Sequence, residues 1–281
     1  MEEYRKSKTL LQVQKCCLGI VDDIDRVCRK NGISYSLCGG SVIGAMVYGG
    51  YIPWDDDIDL MMTRENYDRF VRIYPAECDP RYKLHHYSTS GVRNLPSLFS
   101  RVEDSWTRTR EEIAQGIRTG RVFVDITVFD QVPGKVVHRL IRLYAGYTYT
   151  FLYRMNGMIP GTGWKKALMK LLPGTVSERK LSSRYRRLEN TCRWLSRCKG
   201  KYSAELLSAA FGDILYDSRV FDAYENIRFE DRSLMIVRNY RGYLMMRYGR
   251  ADFPKDVPEE KRQKSHILKA KVLTPENAPE K

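Results

Sequence analysis

No stretch of 18 consecutive apolar residues occurs anywhere in the chain, so the sequence offers no transmembrane helix. The first eleven residues are charged and run straight into a helical pattern, which excludes a signal peptide and points to the cytoplasm. Histidine is scarce, four in all and scattered, which removes a histidine-based metal site. The seven cysteines are an odd number, and neither the adjacent Cys16–Cys17 nor the Cys192–Cys198 pair has zinc-site spacing. They read as reduced, mostly buried thiols. Internal repeats and low-complexity tracts are also missing. With 43% hydrophobic residues and 19 tyrosines, the chain is not short of core material, which excludes a disordered protein.

The charge is uneven. The whole chain carries 48 basic against 34 acidic residues, a net +14. Residues 135–202 hold 16 Lys or Arg against only Glu178 and Glu189, so this one segment carries the entire excess. Such a segment attracts anionic lipid, a polyanionic or nucleotide substrate, or nucleic acid, and charge alone does not choose. It interleaves Tyr144, Tyr147, Tyr149, Phe151, Tyr153 and Trp164 with Arg139, Arg142, Arg154, Lys165 and Lys166. We read that mixture as a peripheral contact with anionic membrane or a lipid-linked anionic acceptor, ahead of an ordinary basic surface over core aromatics and of nucleic acid.

The pattern predicts an α+β chain. Leu10, Val13, Cys17, Ile20, Ile24 and Val27 recur at steps of three and four, an amphipathic helix closed by Asn31-Gly32. Ile33–Cys38 reads as a strand, Gly39 to Val47 as a short helix, and Asp57–Met62 as a second strand. Thr63 is placed to cap a helix over Arg64–Tyr74, with Pro75 and Pro80 bracketing the turn after it. Short strands are expected within 82–103. Along Arg121–Phe129, Val122, Val124, Ile126 and Val128 take one face and Phe123, Asp125 and Thr127 the other. Helices are expected over 136–155, 164–172 and 177–198, a strand at Leu234–Val237 and a helix at Tyr240–Tyr248. From Ala251 the chain reads as a polar surface arm. The expected organisation is a catalytic core over 1–134, a basic aromatic-rich helical region over 135–228, and a segment over 229–281 completing the core.

One region carries chemistry. Gly39-Gly40-Ser41 precedes Asp55-Asp56-Asp57-Ile58-Asp59. Four carboxylates within five residues repel one another unless a cation intervenes. Asp57 and Asp59 are i and i+2 on the expected strand, on one face and about 7 Å apart. Asp125 is a lone carboxylate in an apolar strand, where Asp is disfavoured, and is the natural third ligand. Oxygen-only ligation favours Mg2+ or Mn2+ over zinc. Glycines let backbone approach a ligand and a helix start offers N–H groups, so Gly40 and Ser41 form an anion cradle opposite the cation site. Residues alone leave three alternatives: a nucleotidyltransferase acting on a small molecule or RNA, an Asp-x-Asp glycosyltransferase, and a non-catalytic basic binding protein. A calcium loop fails on its ligand spacing.

The sequence resembles the LicD family, bacterial phosphocholine transferases related to the fukutin proteins. The resemblance lies in Gly40-Ser41-x-x-Gly44-Ala45, in Gly50-Tyr51-Ile52-Pro53-Trp54-Asp55-Asp56-Asp57-Ile58-Asp59, in Tyr67-x-x-Phe70 and in Val124-Asp125-Ile126. It returns at Tyr248-Gly249 and in Pro258-Glu259-Glu260-Lys261-Arg262 followed by His266. It implies a nucleotidyltransferase-like fold, a mixed β-sheet flanked by helices, here with an additional helical segment. It also implies transfer of a phospho-alcohol from CDP-choline or a related CDP-alcohol to a hydroxyl of a lipid-linked glycan or teichoic acid precursor, at the inner face of the membrane. On this resemblance Asp57, Asp59 and Asp125 hold the metal and Asp125 helps deprotonate the acceptor. Gly40 and Ser41 receive the cytidylyl side or leaving group. Trp54 stacks on a base or on choline, or braces its loop, and Arg101, Arg262 and His266 join the substrate-binding set.

Overall fold

The structure is a computed structural model, and it describes residues 7–92, 97–113, 116–155, 177–208, 212–262 and 267–273. Two compact units are present: Met1–Leu84, Arg101–Ile126 and Val220–Lys281 form the first, and His85–Ser100 and Thr127–Arg219 the second.

The first unit opens with helix α1 (Lys8–Lys30), whose expected stripe is buried. Ser7 caps it, its hydroxyl oxygen accepting from the Leu10 N–H at 3.1 Å, and Arg29 and Lys30 in the last turn suit the negative end of the helix dipole. Strand β1 is only Ser36–Leu37, shorter than the apolar run, because only these two residues face a partner, strand β2 (Asp59–Thr63). Ile33 and Tyr35 are buried all the same. Helix α2 (Gly39–Tyr48) lies between them in sequence.

Helix α3 (Arg64–Glu77) starts after Thr63 as expected, although the Thr63 side chain makes no capping bond and instead accepts from Asn66 at 3.1 Å. The helix runs past Tyr74 and through Pro75, which was expected to begin a turn. Proline inside the last turn forgoes one helical hydrogen bond without breaking what precedes it, and the Cys78 N–H still reaches the Tyr74 carbonyl at 2.9 Å.

Strands β3 (Tyr82–His85), β4 (Ser100–Asp104), β5 (Thr107–Ile113), β6 (Gly116–Gly120) and β7 (Phe123–Val132) follow, with one helical turn, α4 (Tyr87–Ser90), among them. The main sheet has the order β1-β2-β7-β4-β3. In β7 the expected alternation holds as far as Ile126, and from Thr127 to Asp130 both faces are buried. A hairpin, β10 (Tyr224–Phe229) and β11 (Arg232–Val237), is followed by an α-helix over Tyr240–Tyr248, as expected. The tail corrects the reading of a surface arm: Ile267–Val272 forms the last strand, β12, antiparallel to β5 in a β12-β5-β6 sheet. Its Leu268, Ala270 and Val272 alternate with Lys269 and Lys271, a period-two pattern that the surrounding charges obscured.

In the second unit β7 ends against β8 (Tyr202–Ala204), which pairs with β9 (Tyr216–Asp217). Helices α5 (Lys135–Met155) and α6 (Glu178–Ser196) lie between, close to the expected spans, and the expected helix over 164–172 falls outside the described residues. Numbered in chain order, Tyr240–Tyr248 is α7. Among the described residues no helix is long and apolar enough to cross a membrane. No disulfide forms among the seven cysteines, all of them described, and five are buried.

The β3–β4 edge is held by a buried charge. Asp104, fully buried, accepts from Arg81 Nε at 2.8 Å, from Arg81 Nη2 at 2.6 Å and from the Trp106 N–H at 3.0 Å. Removing one member of a buried pair strands the other. Asp104→Ala is therefore expected to cost about 3–5 kcal/mol in urea unfolding, whereas Asp217→Ala, whose Arg219 partner is exposed, is expected to leave the urea midpoint nearly unchanged.

Candidate metal centre

The site begins where β1 turns into α2. Gly39 sits at φ +53°, a left-handed conformation that a side chain would strain, and a Cβ there would lie 3.6 Å from Arg247 Nη2. The Gly39 N–H donates to the Tyr243 hydroxyl at 3.0 Å. Ser41 faces the acids: its hydroxyl oxygen accepts from the Asp59 N–H at 3.0 Å, while the Asp59 carbonyl accepts from the Cys38 N–H at 2.9 Å. The first turn of α2 thus sets where Asp59 enters its strand. A Cβ on Gly40 would stand 3.2 Å from an Asp55 carboxylate oxygen, so the glycine pair and the acidic run are in contact.

The loop joining α2 to β2 is pinned on several sides. A Cβ on Gly44 would fall 2.4 Å from the Gly50 carbonyl, so only glycine lets the loop cross the helix there. Gln14 Nε2 donates to the Asp55 carbonyl at 2.7 Å, and the Tyr51 hydroxyl to the Gln14 carbonyl at 2.8 Å. Glu230, in the β10–β11 turn, accepts from the Tyr51 N–H at 3.1 Å and donates its own N–H to the Gly49 carbonyl at 2.7 Å. The Ile267 N–H, at the start of β12, donates to Asp56 Oδ2 at 3.2 Å.

What this brings together is a carboxylate cluster. Oxygens of Asp55, Asp56 and Asp57 lie within 4.8 Å of one another, with Asp56 buried and the other two half-buried. Burial, followed by Asp59, Asp55, Asp56 and Asp125, pushes the Asp57 carboxyl well above the usual carboxylate range. The expected ligands Asp59 and Asp125 are therefore electrostatic neighbours of Asp57, while the tightest group is Asp55–Asp56–Asp57. Asp55 and Asp56 stand outside the expected ligand set although their signal, four acids in five positions, is in plain view. Strand alternation favoured Asp57 and Asp59, but the strand starts only at Asp59 and the three preceding acids sit in loop.

Asp125 has a partner of its own. Arg101 clamps it, Nε at 2.6 Å and Nη2 at 2.9 Å, with the guanidinium carbon 3.3 Å from the centre of the Phe123 ring. Burial alone would lower the Arg101 pKa, and Asp125 beside it more than offsets that. Sequence reasoning also missed Glu111 of β5, which lines a cavity of about 70 Å3 together with Asp56, Asp57 and Phe123. No local pattern could have found it, because its place depends on β5 reaching the cluster. Trp54 carries the Arg262 guanidinium 5.0 Å over its ring and meets Tyr48 edge-on, contacts that leave both expected roles open. His266 lies outside the described residues.

An all-oxygen donor set whose members repel one another fits a hard divalent cation, Mg2+ or Mn2+. Beside a glycine-opened helix start, on a mixed sheet flanked by helices, it defines a nucleotidyltransferase-like fold with a candidate metal centre. Residues 32–151 match the family described as LicD/FKTN/FKRP, nucleotidyltransferase domain. The lipopolysaccharide cholinephosphotransferase LicD of Haemophilus influenzae is 28% identical over 280 residues, covering 95% of this chain and all of that one. The human ribitol 5-phosphate transferase FKRP is 36% identical over 66 residues, covering 22% of this chain and 13% of that protein. A GTP pyrophosphokinase family protein from Streptococcus pneumoniae aligns over 68% of this chain and 90% of its own at 10% identity, and its TM-score of 0.23 is too low to carry an argument. Over residues 32–151 the chain thus carries a LicD-family, nucleotidyltransferase-like fold.

The raised Asp57 pKa has a sign. The folded state holds this proton more tightly than the unfolded chain, so stability falls as pH rises from about 4 through the raised value. In EDTA at pH 8, Asp57→Asn is expected to melt above the wild type, and the gap to close as pH is lowered toward about 5. Saturating Mg2+ is expected to reverse the order, because it stabilises only the protein that keeps the carboxylate. Calorimetric melting under the three conditions checks this.

Proposed function

We propose that this protein transfers a phospho-alcohol, phosphocholine first among candidates, from a CDP-linked donor to a hydroxyl of a cell-surface glycan or teichoic acid precursor, releasing CMP. The observation that carries the reading is the Asp55–Asp59 cluster seated against Gly40 and Ser41 within a LicD-family domain. The likeness to the Haemophilus cholinephosphotransferase along nearly the whole chain supports the choice of alcohol.

In this reading the acceptor oxygen bonds to the phosphorus that bears the alcohol. The bond from that phosphorus to the bridging oxygen breaks, and the bridging oxygen leaves on CMP. Asp55, Asp56 and Asp57, with Asp59 and Asp125 close by, would hold Mg2+ or Mn2+, which when bound neutralises charge on the donor diphosphate. The backbone at Gly40 and the α2 start receive the leaving phosphate. Asp125 accepts the acceptor's proton, and the Arg101 clamp fixes the direction in which its oxygens point. Arg262 and Trp54 border the donor side. The work takes place at the inner membrane face on a lipid-linked acceptor.

Incubation with Mg2+ and a panel of CDP-alcohols, followed by mass spectrometry, is expected to show CMP release that depends on both metal and acceptor. Release of the phospho-alcohol with a cytidylyl group left on the product would instead identify a nucleotidyltransferase. Asp57→Asn and Asp125→Ala are each expected to lower turnover at least about a hundredfold, as loss of a preorganised charge does. More than a tenth of normal turnover in either would remove that residue from the machinery.

A further inference from the structure

A surface helix of a globular protein hides one apolar face and shows polar residues on the other. Helix α5 breaks this rule. Its inner face is apolar and packed, with Ala145, Tyr149 and Leu152 buried. Its outer face is apolar as well: Val136 is 73% exposed, Leu140 61%, Leu143 72% and Tyr147 42%. These four recur at steps of four, three and four, so they fall within about 60° around the helix axis. Lys135 and Arg139, both exposed, run along one side of the stripe. The neighbouring helix α6 exposes Arg179, Arg186 and Arg187, within the segment that carries the whole excess positive charge.

The details sharpen the sequence reading. Tyr149 and Phe151 are core residues, and Arg142 turns inward to the carbonyls of Leu206 and Ser208, so none of these three serves a surface. The exposed aliphatic stripe, which charge and aromatic counting did not single out, is what remains.

We propose that the outer face of α5 is a monotopic docking surface for anionic membrane, with Val136, Leu140, Leu143 and Tyr147 entering the headgroup–acyl boundary and Lys135 and Arg139 meeting acidic headgroups. Charge complementarity selects this occupant. A second copy would bring the same positive charge to the interface, and four side chains supply far less area than the roughly 800 Å2 per partner of a stable complex. A lipid surface needs no such area and supplies the opposite charge. The inference is independent of the reaction proposed above.

Co-sedimentation tests it with the full chain and two kinds of vesicle, phosphatidylcholine alone and phosphatidylcholine mixed with phosphatidylglycerol, at low salt. The wild type is expected to pellet with the anionic vesicles and not with the neutral ones. Leu140→Ser with Leu143→Ser is expected to lower that partition at least about tenfold, with an unchanged melting temperature because both side chains are exposed. Lys135→Glu with Arg139→Glu is expected to lower it too, leaving a remnant that salt no longer weakens. Failure of the wild type to bind anionic vesicles overturns the proposal, and so does undiminished binding by the double serine variant. A wild-type dimer in sedimentation velocity that the same serines dissociate overturns it in favour of a second copy.

Discussion

Carboxylates repel at the distance at which this chain holds them. At an effective dielectric constant near 20, two unit charges 4 Å apart cost about 4 kcal/mol, and Asp55, Asp56, Asp59 and Asp125 all act to raise the Asp57 pKa. The loop would spread its acids into water if left alone. Hydrogen bonds to the backbone from Gln14, Cys38 and Glu230, and one that the Asp59 N–H donates to the Ser41 hydroxyl oxygen, prevent that. The same groups that stiffen the loop create the demand for a cation. The cluster is a strained arrangement that the rest of the first unit over-determines, as functional sites commonly are.

That restraint explains why distant parts of the chain are tied to one short loop. The tail returns as β12, and its first N–H bonds Asp56. The β10–β11 turn spends Glu230 on the loop entrance, with its backbone at φ +57°, an uncommon conformation for a residue with a side chain. Strand β5 brings Glu111 to the cavity beside Asp56 and Asp57. Arg101 holds Asp125 in a two-point clamp, which gives that carboxylate a charge partner and a fixed orientation. A cation bound at the cluster would therefore be coupled to the closing of these long-range contacts.

The second unit is built on different terms. Its interior places two ionised groups around a buried histidine: Glu189 bonds His86 Nε2 at 3.2 Å and pairs with Arg193 at 2.8 Å, fixing α4 to α6. Within it, residues 135–202 hold sixteen basic residues against two acidic ones, and one of those two, Glu189, is buried. The acidic, oxygen-lined chemistry and the positive, apolar-striped surface thus belong to separate compact units.

The sequence by itself determined the helices, because three-and-four periodicity reports burial one turn at a time; α1, α5, α6 and α7 all lie within a few residues of their expected spans. It also determined the acidic centre, since four aspartates in five positions need no fold to be conspicuous, and the family resemblance rested on those same residues. Only the tertiary structure decided which acids cluster most tightly, that Asp125 is clamped by Arg101, that Glu111 joins the cavity and that the tail is a strand rather than an arm. Each of these depends on strand register and loop closure between residues from 24 to 211 positions apart. Local periodicity carries no information at that separation, because the entropy cost of closing such loops is met only when the whole core forms.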